Sequence, residues 1–119
     1  MPAPGDFYHR RMAGPIVGTA AAAVLFLVDH NEQWRVMHIH VCNTTTSAQT
    51  FKLSINADAA GTRLYNAYSV AANGVYDWQA LSIHSGHIIY SGETLEWNGP
   101  ATLTITVEGV CELAVANPK

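Results

Sequence analysis

Two segments of the chain alternate strictly between apolar and polar residues. They are "TFKLSIN" (residues 50–56) and "ATLTITVEG" (residues 101–109). Because successive side chains of a strand point to opposite faces, this period of two predicts two half-buried β-strands. The residues predicted to face the core are Phe51, Leu53, Ile55, Leu103, Ile105 and Val107.

The segment "WRVMHIHVC" (residues 34–42) alternates as well, and it brings two histidines and a cysteine onto one face. We predict that the more uniformly apolar set, Met37, Ile39 and Val41, faces the core. The opposite face then consists of Trp34, Val36, His38, His40 and Cys42. The two imidazoles are therefore expected to point outward, toward solvent or a neighbouring subunit.

Turn signals interrupt the chain about every ten residues. Asn-Gly and Ser-Gly pairs end several short apolar runs, and the polar stretches "HNEQ" and "NTTTSAQ" flank the histidine strand. Residues 21–29 are apolar on both faces and predict a covered strand, while residues 57–68 are interpreted as a crossing loop. This spacing predicts an all-β fold, an antiparallel, jelly-roll-like β-sandwich of about eight short strands.

Residues 1–18 contain three prolines and three glycines and show no regular period. We predict an extended N-terminal arm over 1–18, ordered by lying on a neighbouring molecule, and a sandwich domain over 19–119. A frayed terminus is the alternative. The residues expected to anchor the arm are the apolar Phe7, Tyr8 and Ile16 and the basic Arg10 and Arg11.

Charged residues make up only 13% of the chain, about half the usual share, and the formal net charge is -3. A small domain with so little surface charge suits an assembly better than free solution. The chain has no basic block beyond Arg10-Arg11, so we expect no binding to nucleic acid. The apolar run at residues 20–28 is too short to span a bilayer, so no membrane association is expected.

The two cysteines, Cys42 and Cys111, form no CxxC motif. The N-terminus lacks the features of a secretory signal, which predicts synthesis in the cytosol and two reduced, hydrophobic thiols.

Candidate chemistry centres on His38 and His40. An HxH pair on a strand is part of the cupin metal pattern, but that pattern has a glutamate a few residues later, and here the next acidic residue is Asp58. We therefore expect no metal and no cofactor, with a cupin-like metal-binding protein as the less favoured alternative. The chain also lacks GxSxG, P-loop and GxGxxG motifs, so we predict no enzyme and no small-molecule substrate.

The stretch "WRVMHIHVCNTTTSAQTFKLSI", followed by "RLYNAYSVAANGVYDW", "SGETLEW" and "ATLTITVEGV", resembles small β-sandwich virion proteins of tailed bacteriophages. The resemblance covers about residues 20–115. One departure is "DHNEQ", where those proteins usually have a "P-A-G"-like turn.

The resemblance implies a non-enzymatic structural protein of the virion, assembled in the host cytoplasm. Specifically, it implies a capsid decoration (cement) or minor capsid protein that binds the major capsid protein and copies of itself, as a homotrimer. A tail, neck or receptor-binding component of the phage particle is the alternative. On this hypothesis His38 and His40 lie at an interface, where a neutral imidazole is better tolerated than lysine or glutamate.

Overall fold

The computed structural model describes residues 7–57, 60–82 and 85–113. This part of the chain forms nine β-strands and one turn of 3₁₀-helix, so the predicted all-β class is confirmed. Among these residues, no helix has the length and apolar character needed to cross a membrane. The strands are β1 (Phe7–Val17), β2 (Ala23–Leu27), β3 (Glu32–Asn43), β4 (Gln49–Ile55), β5 (Arg63–Val70), β6 (Val75–Gln79), β7 (His87–Ile89), β8 (Thr94–Asn98) and β9 (Leu103–Leu113).

The strands form two antiparallel sheets that pack against each other as a sandwich. Sheet A has the order β1-β9-β3-β6, and β7 also pairs with β3; sheet B has the order β2-β8-β4-β5. The twelve-residue β3 is long enough for two short strands to share one of its edges. Residues 34–36 pair with β7, and residues 38–42 pair with β6. The predicted antiparallel sandwich is confirmed.

The core lies between the two sheets and follows the predicted alternation in β4 and β9. Five of the six residues predicted to face inward have at most 1% of their surface exposed. These five are Phe51, Leu53, Leu103, Ile105 and Val107. The sixth, Ile55, is half-buried and packs against the same cluster at the end of β4.

A β-bulge at Met37 changes the alternation within β3. Val36 pairs with Gly109 and His38 pairs with Glu108, which leaves Met37 as an extra residue. Before the bulge the even-numbered residues face the core, and after it the odd-numbered ones do. The prediction that Trp34 and Val36 lie on the outer face is therefore wrong, since both are buried.

Glycine is required opposite this bulge. A Cβ at position 109 would collide with the backbone carbonyl oxygen of Arg35, so the close approach of β9 to β3 depends on Gly109. After the bulge the predicted pattern holds, with Ile39 and Val41 fully buried. His38 and His40 remain on the outer face of sheet A.

The expected N-terminal arm differs in the structure. Residues 7–17 form β1, which pairs along β9 from Phe7 opposite Glu112 to Val17 opposite Thr104. Met12 is buried in the core, so β1 is an edge strand of the sandwich and the predicted domain boundary after residue 18 is corrected. Residues 1–6 lie outside the described part of the chain.

Gly14 and Pro15 are unusual within a strand, and here they lie in an irregularity of β1. The register of β1 shifts between Ala13 and Ile16, and Gly14 has a φ of 86° at that shift. Edge strands and bulges are the places where a sheet tolerates proline. A second correction concerns residues 57–68, interpreted as a crossing loop, of which residues 63–68 belong to β5.

Candidate functional site

Four titratable side chains meet on the outer face of sheet A, where β3 lies between β6 and β9. His38 and His40 share this face because they are two residues apart on β3. Asp77 of β6 lies directly opposite His40, and Glu108 of β9 lies directly opposite His38. Strand pairing alone therefore brings two imidazoles and two carboxylates together, which we call the His–Asp cluster.

Asp77 is the centre of the His–Asp cluster. Its Oδ1 lies 2.6 Å from Nε2 of His38 and 3.0 Å from Nδ1 of His40. Nδ1 of His38 lies 3.0 Å from Oε1 of Glu108. Since an ionised carboxylate only accepts hydrogen bonds, these two contacts favour the form of His38 in which both ring nitrogens carry a proton. Gln79 Nε2 donates to the second carboxylate oxygen, Asp77 Oδ2, at 3.3 Å.

These contacts shift the protonation equilibria of the cluster. The hydrogen bond to Asp77, followed by that to Glu108, raises the pKa of His38 above its ordinary value. Hydrogen bonds from His38 and then His40 lower the pKa of Asp77 to about 2. The side chains of His38 and Asp77 are 29% and 38% exposed. Solvent screens such pairs, so the cluster adds little to the stability of the fold.

The His–Asp cluster has the donor set of a metal site. His38, His40 and Asp77 each offer one ligand atom, and these atoms lie within 4.8 Å of one another. Two imidazole nitrogens and one carboxylate oxygen suit divalent transition metals. The sequence contained the HxH signal, but Asp77 lies 37 residues after His40 and is found only through the register of β3 with β6.

The other residues predicted to form an interface lie on β1, which pairs with β9 and places Arg11 directly opposite Glu108 of the His–Asp cluster. Tyr8, Arg10, Arg11 and Ile16 are all exposed. The guanidinium carbon of Arg10 lies 4.9 Å from the centre of a ring of Trp34. The side chain of Phe7, also predicted at the interface, lies outside the described residues. The predicted interface residues therefore lie on two strands of sheet A, β1 and β3, on either side of β9.

Exposed apolar side chains mark one side of the sandwich, where the edge strands β1 and β2 of the two sheets contact each other. We call this surface the β1–β2 flank. Its large exposed apolar residues are Tyr8, Ile16, Val17, Val24 and Leu27.

The opposite side of the sandwich consists of the edge strands β5 and β6 and is called the β5–β6 flank. Tyr65 and Tyr76 join the two sheets here through a hydrogen bond of 2.7 Å between their hydroxyl groups. Burial and this bond raise the pKa of Tyr65. Tyr68 and Val75 are the exposed apolar residues of this flank.

A groove of about 670 Å³ lies where the loops after β1 and β8 approach β4. Of the ten residues that line it, only Lys52 is titratable; the others include glycine, alanine and threonine. The groove therefore offers little acid–base or nucleophilic chemistry.

Comparison with known proteins gives a likeness in fold. No family model and no curated protein matches the chain. A solved structure of Bacillus endospore appendages, described as a novel family of disulfide-linked pili, is similar with a TM-score of 0.50 and 11% sequence identity. The alignment covers 97% of this chain and 96% of the pilus chain. At this identity the likeness shows the fold alone.

Proposed function

We propose that the chain is a non-enzymatic structural subunit of a virion, specifically a capsid decoration or minor capsid protein. It acts by binding copies of itself and the major capsid protein. The capsid assignment rests on the resemblance of residues 20–115 to virion sandwiches of tailed phages. The role as an assembling subunit rests on the exposed apolar side chains along the edge strands of both sheets.

The observation that carries the proposal is the pair of apolar flanks on opposite sides of the sandwich. Seven large apolar side chains on these flanks are between 37% and 57% exposed. Single exposed apolar residues are normal on a monomer, but here they accompany the outer edges of the sheets. Unpaired edge strands offer backbone donors and acceptors to another chain. Each flank therefore combines apolar contact area with the capacity to extend a sheet.

Because the two flanks differ in residues, the contact that joins them is head-to-tail. Such a contact produces a closed ring when the rotation between copies closes, and a filament when it does not. Three copies in a ring would give the trimer that the resemblance implies. The low content of charged residues, 13%, agrees with a chain whose sides are covered by neighbours.

A pilus-like filament is the second candidate, favoured by the fold shared with the endospore appendage subunit over nearly the whole chain. That neighbour is described as disulfide-linked. Here Cys111 is buried and Cys42 is half-buried, so Cys42 is the better placed of the two for a link between copies. Electron microscopy of the purified chain, with and without reductant, separates the candidates. Discrete rings support the capsid proposal, and reductant-sensitive filaments support the pilus-like one.

The capsid assignment is tested by quantitative mass spectrometry of phage particles purified from the source that encodes the chain. A decoration protein is present at a fixed, high ratio to the major capsid protein. A tail or neck component is present at a few copies per particle, which would replace the capsid role by the tail alternative. Absence of the chain from particles would contradict both virion roles.

A further inference from the structure

We propose that His38, His40 and Asp77 bind one divalent transition-metal ion of the zinc class on the outer face of sheet A. This inference does not depend on the proposed structural role. It reverses the expectation from sequence, which was based on a missing acidic ligand. The structure supplies that ligand from the neighbouring strand β6.

The three donor atoms already converge. Nε2 of His38 and Nδ1 of His40 both point at one oxygen, Oδ1 of Asp77, at 2.6 and 3.0 Å. Zinc bonds of about 2.0–2.2 Å at tetrahedral angles place ligand atoms roughly 3.3 Å apart. The three ligand atoms lie within 4.8 Å of one another. To seat an ion, the two contacts to Asp77 lengthen slightly and the largest separation shortens by up to about 1.5 Å, through rotation of the exposed side chains about their χ angles.

The orientation of two ligands is held by partners outside the proposed coordination sphere. Glu108 Oε1 accepts the Nδ1 proton of His38, which leaves Nε2 of that ring facing the ion. Gln79 Nε2 donates to Asp77 Oδ2, which leaves Oδ1 facing the ion. Hydrogen bonds of this kind to the second atom of a ligand are typical of metal sites and raise their affinity.

The ligand types select the class of ion. Two imidazoles and one carboxylate favour zinc, nickel, copper or iron over magnesium and calcium, which prefer all-oxygen sites. Three protein ligands leave at least one position of a tetrahedral ion open. Because the side chains of His38 and His40 are 29% and 39% exposed, that position faces outward and is available to water or to a donor from another molecule.

The alternative use of the same side chains is a metal-free ion pair in which Asp77 only neutralises His38. A metal site and a metal-free ion pair both account for the contacts in the structure, but only the metal site binds zinc. Metal binding requires all three donors at once, whereas an ion pair has no affinity for the ion.

The test uses the full chain stripped with EDTA, titrated with zinc chloride by calorimetry and checked for bound zinc by mass spectrometry after dialysis. We expect one zinc per chain. His38→Ala, His40→Ala and Asp77→Asn each lower the affinity at least tenfold. His30→Ala removes an exposed histidine from the β2–β3 turn and serves as the matched control with unchanged affinity. Glu108→Gln lowers the affinity about 10- to 100-fold without changing the stoichiometry.

Thermal unfolding provides a second readout that also checks that each variant folds. Zinc at 100 times its dissociation constant raises the midpoint of the wild type and of His30→Ala, because it binds the native state alone. At the same zinc concentration the midpoints of His40→Ala and Asp77→Asn rise by at most about half as much, because a site at least tenfold weaker sees no more than about ten times its dissociation constant. Less than about 0.2 zinc per wild-type chain would overturn the proposal. So would one zinc per chain retained at full affinity in all three ligand variants.

Discussion

The imidazole of His87 stacks on the indole of Trp78, with ring centroids 4.8 Å apart and an angle of 27° between the planes. The two residues lie on β7 and β6, the two short strands that share one edge of β3. This contact covers His87 without giving it a charged partner. Burial therefore lowers the pKa of His87 below 6.5.

We predict that His87 titrates below pH 6.5 in the folded protein, as measured by NMR of the imidazole protons. Because the unfolded chain binds this proton more readily, His87 contributes stability above pH 6.5 that is lost as the pH falls toward the folded pKa. In His87→Gln the free energy of unfolding should depend less on pH over that window. A folded pKa at or above 6.5 would contradict the stacked, desolvated position.

Replacement of a core residue tests the packing between the sheets. Leu53→Ala should lower the free energy of unfolding by about 2–5 kcal/mol, because Leu53 is fully buried and the smaller side chain leaves a cavity. Urea denaturation measures the change. Leu81→Ala is the matched control, since Leu81 is 99% exposed and its loss should cost less than about 0.5 kcal/mol. Equal effects would mean that Leu53 is not in the core.

The position of β1 in the sandwich is tested by two substitutions in the same strand. Met12→Ala should cost about 2–5 kcal/mol in urea denaturation, because the Met12 side chain is part of the core cluster. Ile16→Ala, at an exposed position four residues later, should cost under about 1 kcal/mol. If Met12→Ala were as mild as Ile16→Ala, residues 7–17 would behave as the separate arm expected from sequence.

The two thiols should differ in reactivity. Burial raises the pKa of Cys111 to about 11, so at pH 8 its reactive thiolate is scarce as well as inaccessible. Cys42 is half-buried and should react with iodoacetamide much faster, as followed by mass spectrometry of the intact chain. Cys42→Ser should leave a protein that is alkylated only after unfolding in urea. Rapid labelling of native Cys42→Ser would show that Cys111 is accessible.

Sequence periodicity predicted the parts of the fold that depend on local alternation. It placed Phe51 and Leu53 of β4 and Ile105 of β9 in the core, and it placed His38 and His40 outside. It could not predict the bulge at Met37, because that irregularity depends on the residue opposite, Gly109, which is distant in sequence. It missed β1 because Gly14 and Pro15 usually end regular structure, and only the edge position makes them tolerable.

The His–Asp cluster, like the bulge, depends on residues that are distant in sequence. The two histidines share a strand and are visible in the sequence, whereas Asp77 and Glu108 join them through the pairing of β3 with β6 and β9. A search limited to acidic residues close in sequence to HxH therefore does not find Asp77 or Glu108.

Variants with a charge on a single flank test whether copies of the chain assemble through the two flanks. Leu27→Asp places a charge on the β1–β2 flank, and Val75→Asp places one on the β5–β6 flank. Thr46→Asp adds the same charge in the exposed β3–β4 loop and is the matched control. A buried, unpaired charge strongly disfavours a contact. Each variant should therefore no longer bind through its substituted flank, while its other flank remains able to bind.

The decisive measurement is the mass in solution of these proteins, alone and mixed, by light scattering coupled to gel filtration. The wild type and Thr46→Asp should form a multimer of the 12.9 kDa chain. Leu27→Asp and Val75→Asp are each monomeric alone and form a dimer when mixed, because one intact copy of each flank remains. A monomeric wild type, or a variant that still self-associates alone, would contradict the head-to-tail contact.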